Sequence, residues 1–163
     1  MNIIKKLLYK IIFVLSLFTI ISGIYSCSKS TQNTNYDIII SEDGIYTSKE
    51  EVAKYISVYK KLPSNFITKS EARKLGWQVG KNNDLSKVAK GKSIGGDEFK
   101  NYEKLLPVID GRIYYECDID YVKGKRNAKR IIYAIDDDEN ANEEVHIYYT
   151  DDHYNSFTEI KID

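Results

Sequence analysis

The sequence predicts an α+β domain: short N-terminal helices packed on a twisted antiparallel β-sheet of about five strands. Before Gly91, apolar residues recur at helical spacing behind capping sequences. After it, they fall into short runs rich in Ile, Tyr, Val and Phe, separated by turn-forming residues. The 163-residue chain also leaves enough length for a core without staples once its leader is set aside.

Residues 1–26 read as a secretory signal. Lys5, Lys6 and Lys10 precede the uncharged, mostly apolar run Ile11 to Ile24, which is short for a bilayer span. The sequence Ile24-Tyr25-Ser26-Cys27 resembles a bacterial lipobox, with Tyr25 in place of the usual small residue, and makes Cys27 the candidate lipidation site. Plain cleavage with free secretion is the alternative, and an uncleaved anchor a third. All three place the remainder outside the cytoplasm. Residues 27–36 form a polar tether, and residues 37–163 the folded domain. With Cys27 lipidated, Cys117 has no intrachain partner and is expected to be a small buried residue.

In the domain, Ser48-Lys49-Glu50-Glu51 is a capping box. Val52, Tyr55, Ile56 and Tyr59 then keep helical spacing until Leu62-Pro63. Thr68-Lys69-Ser70-Glu71 opens a second helix that Gly76 ends, and Asn83-Asp84 is positioned to cap a third around Leu85 to Ala89. The expected strands are Ser93 to Phe99, Arg112 to Ile119, Arg130 to Ile135, Val145 to Thr150 and Phe157 to Ile160.

The charge sums to zero, 24 basic against 24 acidic residues, which on its face argues against a nucleic-acid ligand. The distribution argues otherwise. Between Val52 and Ile135 there are eighteen Lys and Arg against nine Asp and Glu, whereas residues 136–144 hold six acids and no base. A basic middle with a solvated acidic loop is compatible with a polyanion.

The chemistry-bearing groups are few. His146 lies in an alternating strand, where it is expected to be structural or exposed; His153 sits in the polar turn Thr150 to Asn155. Metal-ligand spacings, a phosphate-binding glycine loop and a serine nucleophile elbow are all missing from the sequence. What remains is acid–base chemistry. Glu116 lies on a strand, and Arg126 and Arg130 follow four residues apart; with Arg126 in the turn and Arg130 on the next strand, both guanidinium groups would approach Glu116. A carboxylate, an imidazole and two guanidinium groups in one cleft would suit in-line transesterification of a phosphodiester. Sequence spacing does not establish that they converge.

From about Ile40 to Ile160 the chain resembles the barnase-like microbial ribonucleases, a family of exported guanyl-preferring enzymes. The resemblance rests on Tyr59 to Pro63, Ile67 to Ala72, Leu75-Gly76-Trp77, Gly91 to Asp97, Gly111-Arg112 to Tyr121, Arg126-Asn127 with Arg130-Ile131, and Asp152-His153-Tyr154. The order and spacing of these stretches are specific together, though each is short. The resemblance implies an endoribonuclease acting on single-stranded RNA through a 2′,3′-cyclic phosphate, with no metal or cofactor. Glu116 is the implied general base and His153 the general acid. Arg126 and Arg130 are the implied phosphate-binding arginines, Lys69 a transition-state cation, and Tyr154 an aromatic that stacks on base or sugar.

The implied guanine loop, Phe99-Lys100-Asn101-Tyr102-Glu103, departs from the family pattern where Tyr102 replaces an arginine and Lys100 a serine. Glu103 keeps the carboxylate that would receive guanine N–H groups, and Asp97, Phe99 and Asn101 complete the substrate-binding set. The resemblance further implies a monomer and a barstar-like inhibitor protein. Two other readings are a surface-anchored RNA or polyanion-binding module of the same fold, and the toxin half of an antibacterial toxin–inhibitor pair.

Overall fold

Among the described residues, N-cap side chains open both α-helices, and the second has the full reciprocal capping box. In α1 (Lys49–Tyr59), the Ser48 hydroxyl accepts from the Glu51 amide at 3.4 Å and donates to its carboxylate at 2.6 Å. In α2 (Lys69–Lys74), the Thr68 amide donates to Glu71 Oε2 at 2.8 Å while Thr68 Oγ1 accepts from the Glu71 amide at 3.2 Å. Two otherwise orphaned N–H groups are thereby satisfied in α2. The computed structural model describes residues 38–80, 84–136 and 144–162. The signal, Cys27, the tether and most of the acidic loop lie outside the described residues.

Helix α1 stops earlier than Leu62-Pro63. Lys60 takes a left-handed conformation (φ 55°) and its N–H closes on Ile56 O, so the chain has turned before Pro63 acts. The expected third helix contracts to a single 3₁₀ turn, Leu85–Lys87, capped by Asp84. Asp84 Oδ1 accepts from the Ser86 amide, the Gly124 amide and the Tyr121 hydroxyl, so this carboxylate ties two loops together instead of starting a longer helix.

The sheet contains six strands in sequential order: β1 (Phe66–Ile67), β2 (Ser93–Phe99), β3 (Tyr114–Asp118), β4 (Arg130–Asp136), β5 (Glu144–Thr150) and β6 (Thr158–Glu159). Strands β2 to β6 are the expected antiparallel five. The additional β1 pairs parallel to β2 and, at two residues, is too short to leave a sequence pattern. Strand β2 bulges between Gly95 and Asp97, with Gly96 at φ 90°. A Cβ on Gly95 would fall 2.7 Å from both Cys117 Cβ and the Phe66 ring, so only glycine fits there.

Alternation along the strands sorts the sheet into two faces. Cys117, Ile131, Tyr133 and Ile147 pack against Val52, Ala53 and Ile56 of α1. Tyr114, Ile132, Ala134 and Tyr148 point the other way and pack with Leu106, flanked by Phe99, Tyr154 and Phe157. A smaller cluster of Ala72, Trp77, Leu85, Ala89, Ile94 and Tyr121 seats α2 and the 3₁₀ turn. Cys117 lies in the main core, 1% exposed, and burial pushes its thiol pKa up. The second face, beyond its apolar patch, carries the polar side chains described next.

Candidate active site

On that face Glu116 and Asp118 lie two residues apart on β3, and Arg130 stands directly opposite Asp118 on β4. Arg126 comes from the loop before β4, Lys69 from the first turn of α2, and His153 and Tyr154 from the β5–β6 turn. Lys69, Glu116, Arg126, Arg130, His153 and Tyr154 line one open cleft of about 390 Å³, joined on one side by Phe99, Asn101, Tyr102 and Glu103. All the proposed catalytic groups therefore converge. Asp97 does not line the cleft: its carboxylate accepts the Lys69 amide N–H at 2.8 Å and so orients the helix end that carries Lys69.

Glu116 is 5% exposed, and both its oxygens are occupied. Oε1 accepts from the Lys69 ammonium and Oε2 from the Tyr154 hydroxyl at 2.5 Å. Burial, then the neighbouring Glu116 carboxylate, push the Tyr154 phenol well up, so it remains a donor. Its ring stacks on Phe99 at 5.4 Å and lies 4.9 Å from the His153 ring. The Tyr154 hydroxyl and the ring face against Phe99 are thus engaged within the site, while the residue itself lines the cleft.

The arginines share the cleft with Glu116, as expected, but their ion-pair partner is a second carboxylate. Neither is paired with Glu116; both are paired with Asp118, which is 1% exposed. Arg126 forms a two-pronged pair, Nε to Oδ2 at 2.5 Å and Nη2 to Oδ1 at 2.6 Å, and Arg130 Nε lies 2.9 Å from Oδ1. Burial works against the Arg126 charge, but its hydrogen bonds to Asp118 and the attraction of that carboxylate outweigh it and raise the guanidinium pKa. Arg130 Nη1 also donates to the carbonyls of Asn127 and Lys129. Three cations against two carboxylates leave the cluster net positive before His153 is counted, which suits a phosphate.

A family model described as ribonuclease matches residues 49–161. The chain belongs to the barnase-like microbial ribonuclease family. Ribonucleases of Bacillus intermedius and Bacillus pumilus are each 51% identical to it over 110 residues, 68% of this chain and 62% of theirs. A ribonuclease of Heyndrickxia coagulans is 50% identical over 110 residues, 68% of this chain and 93% of its own. The chain thus spans less than two thirds of the length of the two Bacillus relatives.

Within this ribonuclease-family site, the loop after β2 is fixed by Asn101. Its side chain donates to Leu106 O at 2.9 Å and accepts from the Leu106 amide at 3.1 Å, while its backbone takes φ 46°, which asparagine tolerates. Asn101 therefore shapes the loop, and Tyr102 (81% exposed) and Glu103 are exposed on it. Lys100 is paired with Glu98 at 2.6 Å.

His146 lies four residues from Thr150 along β5, about 13 Å at strand rise. Its Nε2 is 2.7 Å from Arg112 Nη2 and 3.2 Å from Asp136 Oδ2, a structural cluster away from the cleft. Sequence reasoning missed Asp118 and Asp152. Asp118 carried a signal, an acid two residues from Glu116 and hence on the same strand face. Asp152 holds the turn that bears His153. Four hydrogen bonds from Thr150, Asn155 and Ser156, led by the Ser156 hydroxyl, lower its pKa to about 2.

Proposed function

We propose that the chain is an exported endoribonuclease cleaving single-stranded RNA, 3′ to guanosine, by acid–base transphosphorylation. The observation that carries this reading is the convergence of Lys69, Glu116, Arg126, Arg130 and His153 on one cleft. Glu116 takes the ribose 2′-hydroxyl proton, and the 2′-oxygen attacks phosphorus in line. Lys69, Arg126 and Arg130 stabilise the added negative charge, and His153 protonates the departing 5′-oxygen. In the second step His153 draws a proton from water, which opens the 2′,3′-cyclic phosphate to a 3′-phosphate, while Glu116 returns its proton to the 2′-oxygen. Since the 2′-hydroxyl is the nucleophile, DNA is not a substrate. These side chains supply the acid, the base and the charge stabilisation, so the route needs no metal.

Guanine preference rests on the Glu103 carboxylate, exposed on a loop that Asn101 pins. Export rests on the N-terminal signal, and membrane attachment on Cys27. The cation cluster of the open cleft also suits coverage by an acidic inhibitor protein, the partner expected if the domain serves as a toxin. A module that only binds RNA needs cations but has no use for a buried carboxylate beside an exposed imidazole, so turnover is the favoured reading. Digesting single-stranded RNA with and without EDTA, then mapping end groups and the base 5′ to each cut, tests the proposal. Cyclic phosphate ends after guanosine, unaffected by chelator, are expected. Bound but uncleaved RNA would leave only the binding module.

A further inference from the structure

His153 and Tyr154 are consecutive non-glycine residues in left-handed conformations, at φ 60° and 75°. Side chains with a Cβ resist this region because the Cβ crowds the carbonyl oxygen, so two in succession need a structure that imposes them. We propose that Asp152 is a positioning residue for the reaction, holding the turn that aims His153 and Tyr154 into the cleft; this rests on the ribonuclease reading of that cleft. Asp152 does not itself line the cleft and acts through its neighbours.

The hold is local and nearly complete. Asp152 Oδ1 accepts from the Asn155 and Ser156 amides, both at 3.0 Å, and from the Thr150 hydroxyl at 2.8 Å. Its Oδ2 accepts the Ser156 hydroxyl at 2.6 Å. Thr150 Oγ1 in turn accepts the Tyr154 amide at 3.1 Å. Thr150 is buried at the end of β5, opposite Arg130 in register, so the turn is fastened to the strand pair that presents the phosphate-binding arginines. Without the Asp152 carboxylate, the amides of residues 155 and 156 turn to water, and the turn that sets His153 at positive φ keeps only the Tyr154 contacts and the Asn155 side-chain bond to the Asp152 carbonyl. The loss falls on placement of the proton donor, a transition-state interaction, and spares the cations that bind phosphate.

Kinetics and histidine NMR on Asp152→Ala and Asp152→Asn in the full chain test this, with a single-guanosine RNA oligonucleotide as substrate. Asn keeps an Oδ1 acceptor and removes the charge. Asp152→Ala is expected to lower kcat about tenfold to hundredfold with KM within about threefold, and Asp152→Asn to recover most of it. The chain has two histidines, so each imidazole resonance can be assigned with a His153→Gln variant. Asp152→Ala should move the His153 resonance and leave that of His146. Unchanged kcat, equal losses in both variants, or an unmoved His153 resonance overturns the proposal. If Asp152→Ala does not fold, Thr150→Val and Ser156→Ala replace it, with reduced kcat at constant KM expected and wild-type kcat overturning. A wild-type chain that cleaves no RNA defeats the ribonuclease reading and the kinetic role with it, whereas an unmoved resonance defeats the positioning alone.

Discussion

Asp118 touches no substrate in the proposed mechanism, yet two of its phosphate-binding groups depend on it. Removing one member of a buried, hydrogen-bonded charge cluster leaves the others desolvated and unpaired, which typically costs about 3–5 kcal/mol. Asp118→Ala should therefore destabilise the domain by that order in urea unfolding and also reduce kcat/KM, because Arg126 and Arg130 lose their shared anchor. Glu116, His153 and the two arginines were legible in the sequence through the order and spacing of short matching stretches. The partner of the arginines was not, since it depends on strand register. Asp118 faces Arg130 directly across β3 and β4, and one residue of slip would have changed the pairing. Asp152 supplies a second prediction at this scale. Its folded pKa of about 2 lies below that of an unfolded aspartate, about 3.9, so its contribution to stability is complete above about pH 4 and is lost as pH falls toward 2. Over that window the wild type should lose stability more steeply than Asp152→Asn, as followed by near-ultraviolet circular dichroism at graded pH.

At the scale of elements, the capping boxes and the change from helical to alternating periodicity placed α1, α2 and five strands within a few residues. The misses share one cause: tertiary partners decide elements too short to carry a pattern. Two-residue β1 exists because β2 offers it an edge, and the third helix shrinks because Asp84 is drawn toward Tyr121 and Gly124. The tight packing beneath β2 gives a direct test. A methyl at position 95 meets the rigid Cβ of Cys117 and the Phe66 ring, so Gly95→Ala should cost about 1–3 kcal/mol in thermal or urea unfolding. Gly111→Ala makes an informative comparison, because its site has open space and only the strain of φ 79°.

For the whole molecule, a net charge of zero conceals a division of labour. The cleft cluster is net positive, while residues 137–143 contribute four acids to the connection between β4 and β5. Asp136 and Glu144 are paired across that hairpin, so a short turn can replace the intervening residues. Shortening the loop should raise kcat/KM for RNA at low salt, with the advantage shrinking as screening increases toward about 1 M salt. The central claim is that one carboxylate and one imidazole share the proton transfers. The most direct measurement is transphosphorylation of single-stranded RNA by the Glu116→Ala plus His153→Ala double variant, after circular dichroism has shown that it is folded. A fall in the rate of cyclic phosphate formation by at least about a thousandfold is expected from the loss of both groups, and a double variant that retained wild-type activity would contradict the assigned mechanism.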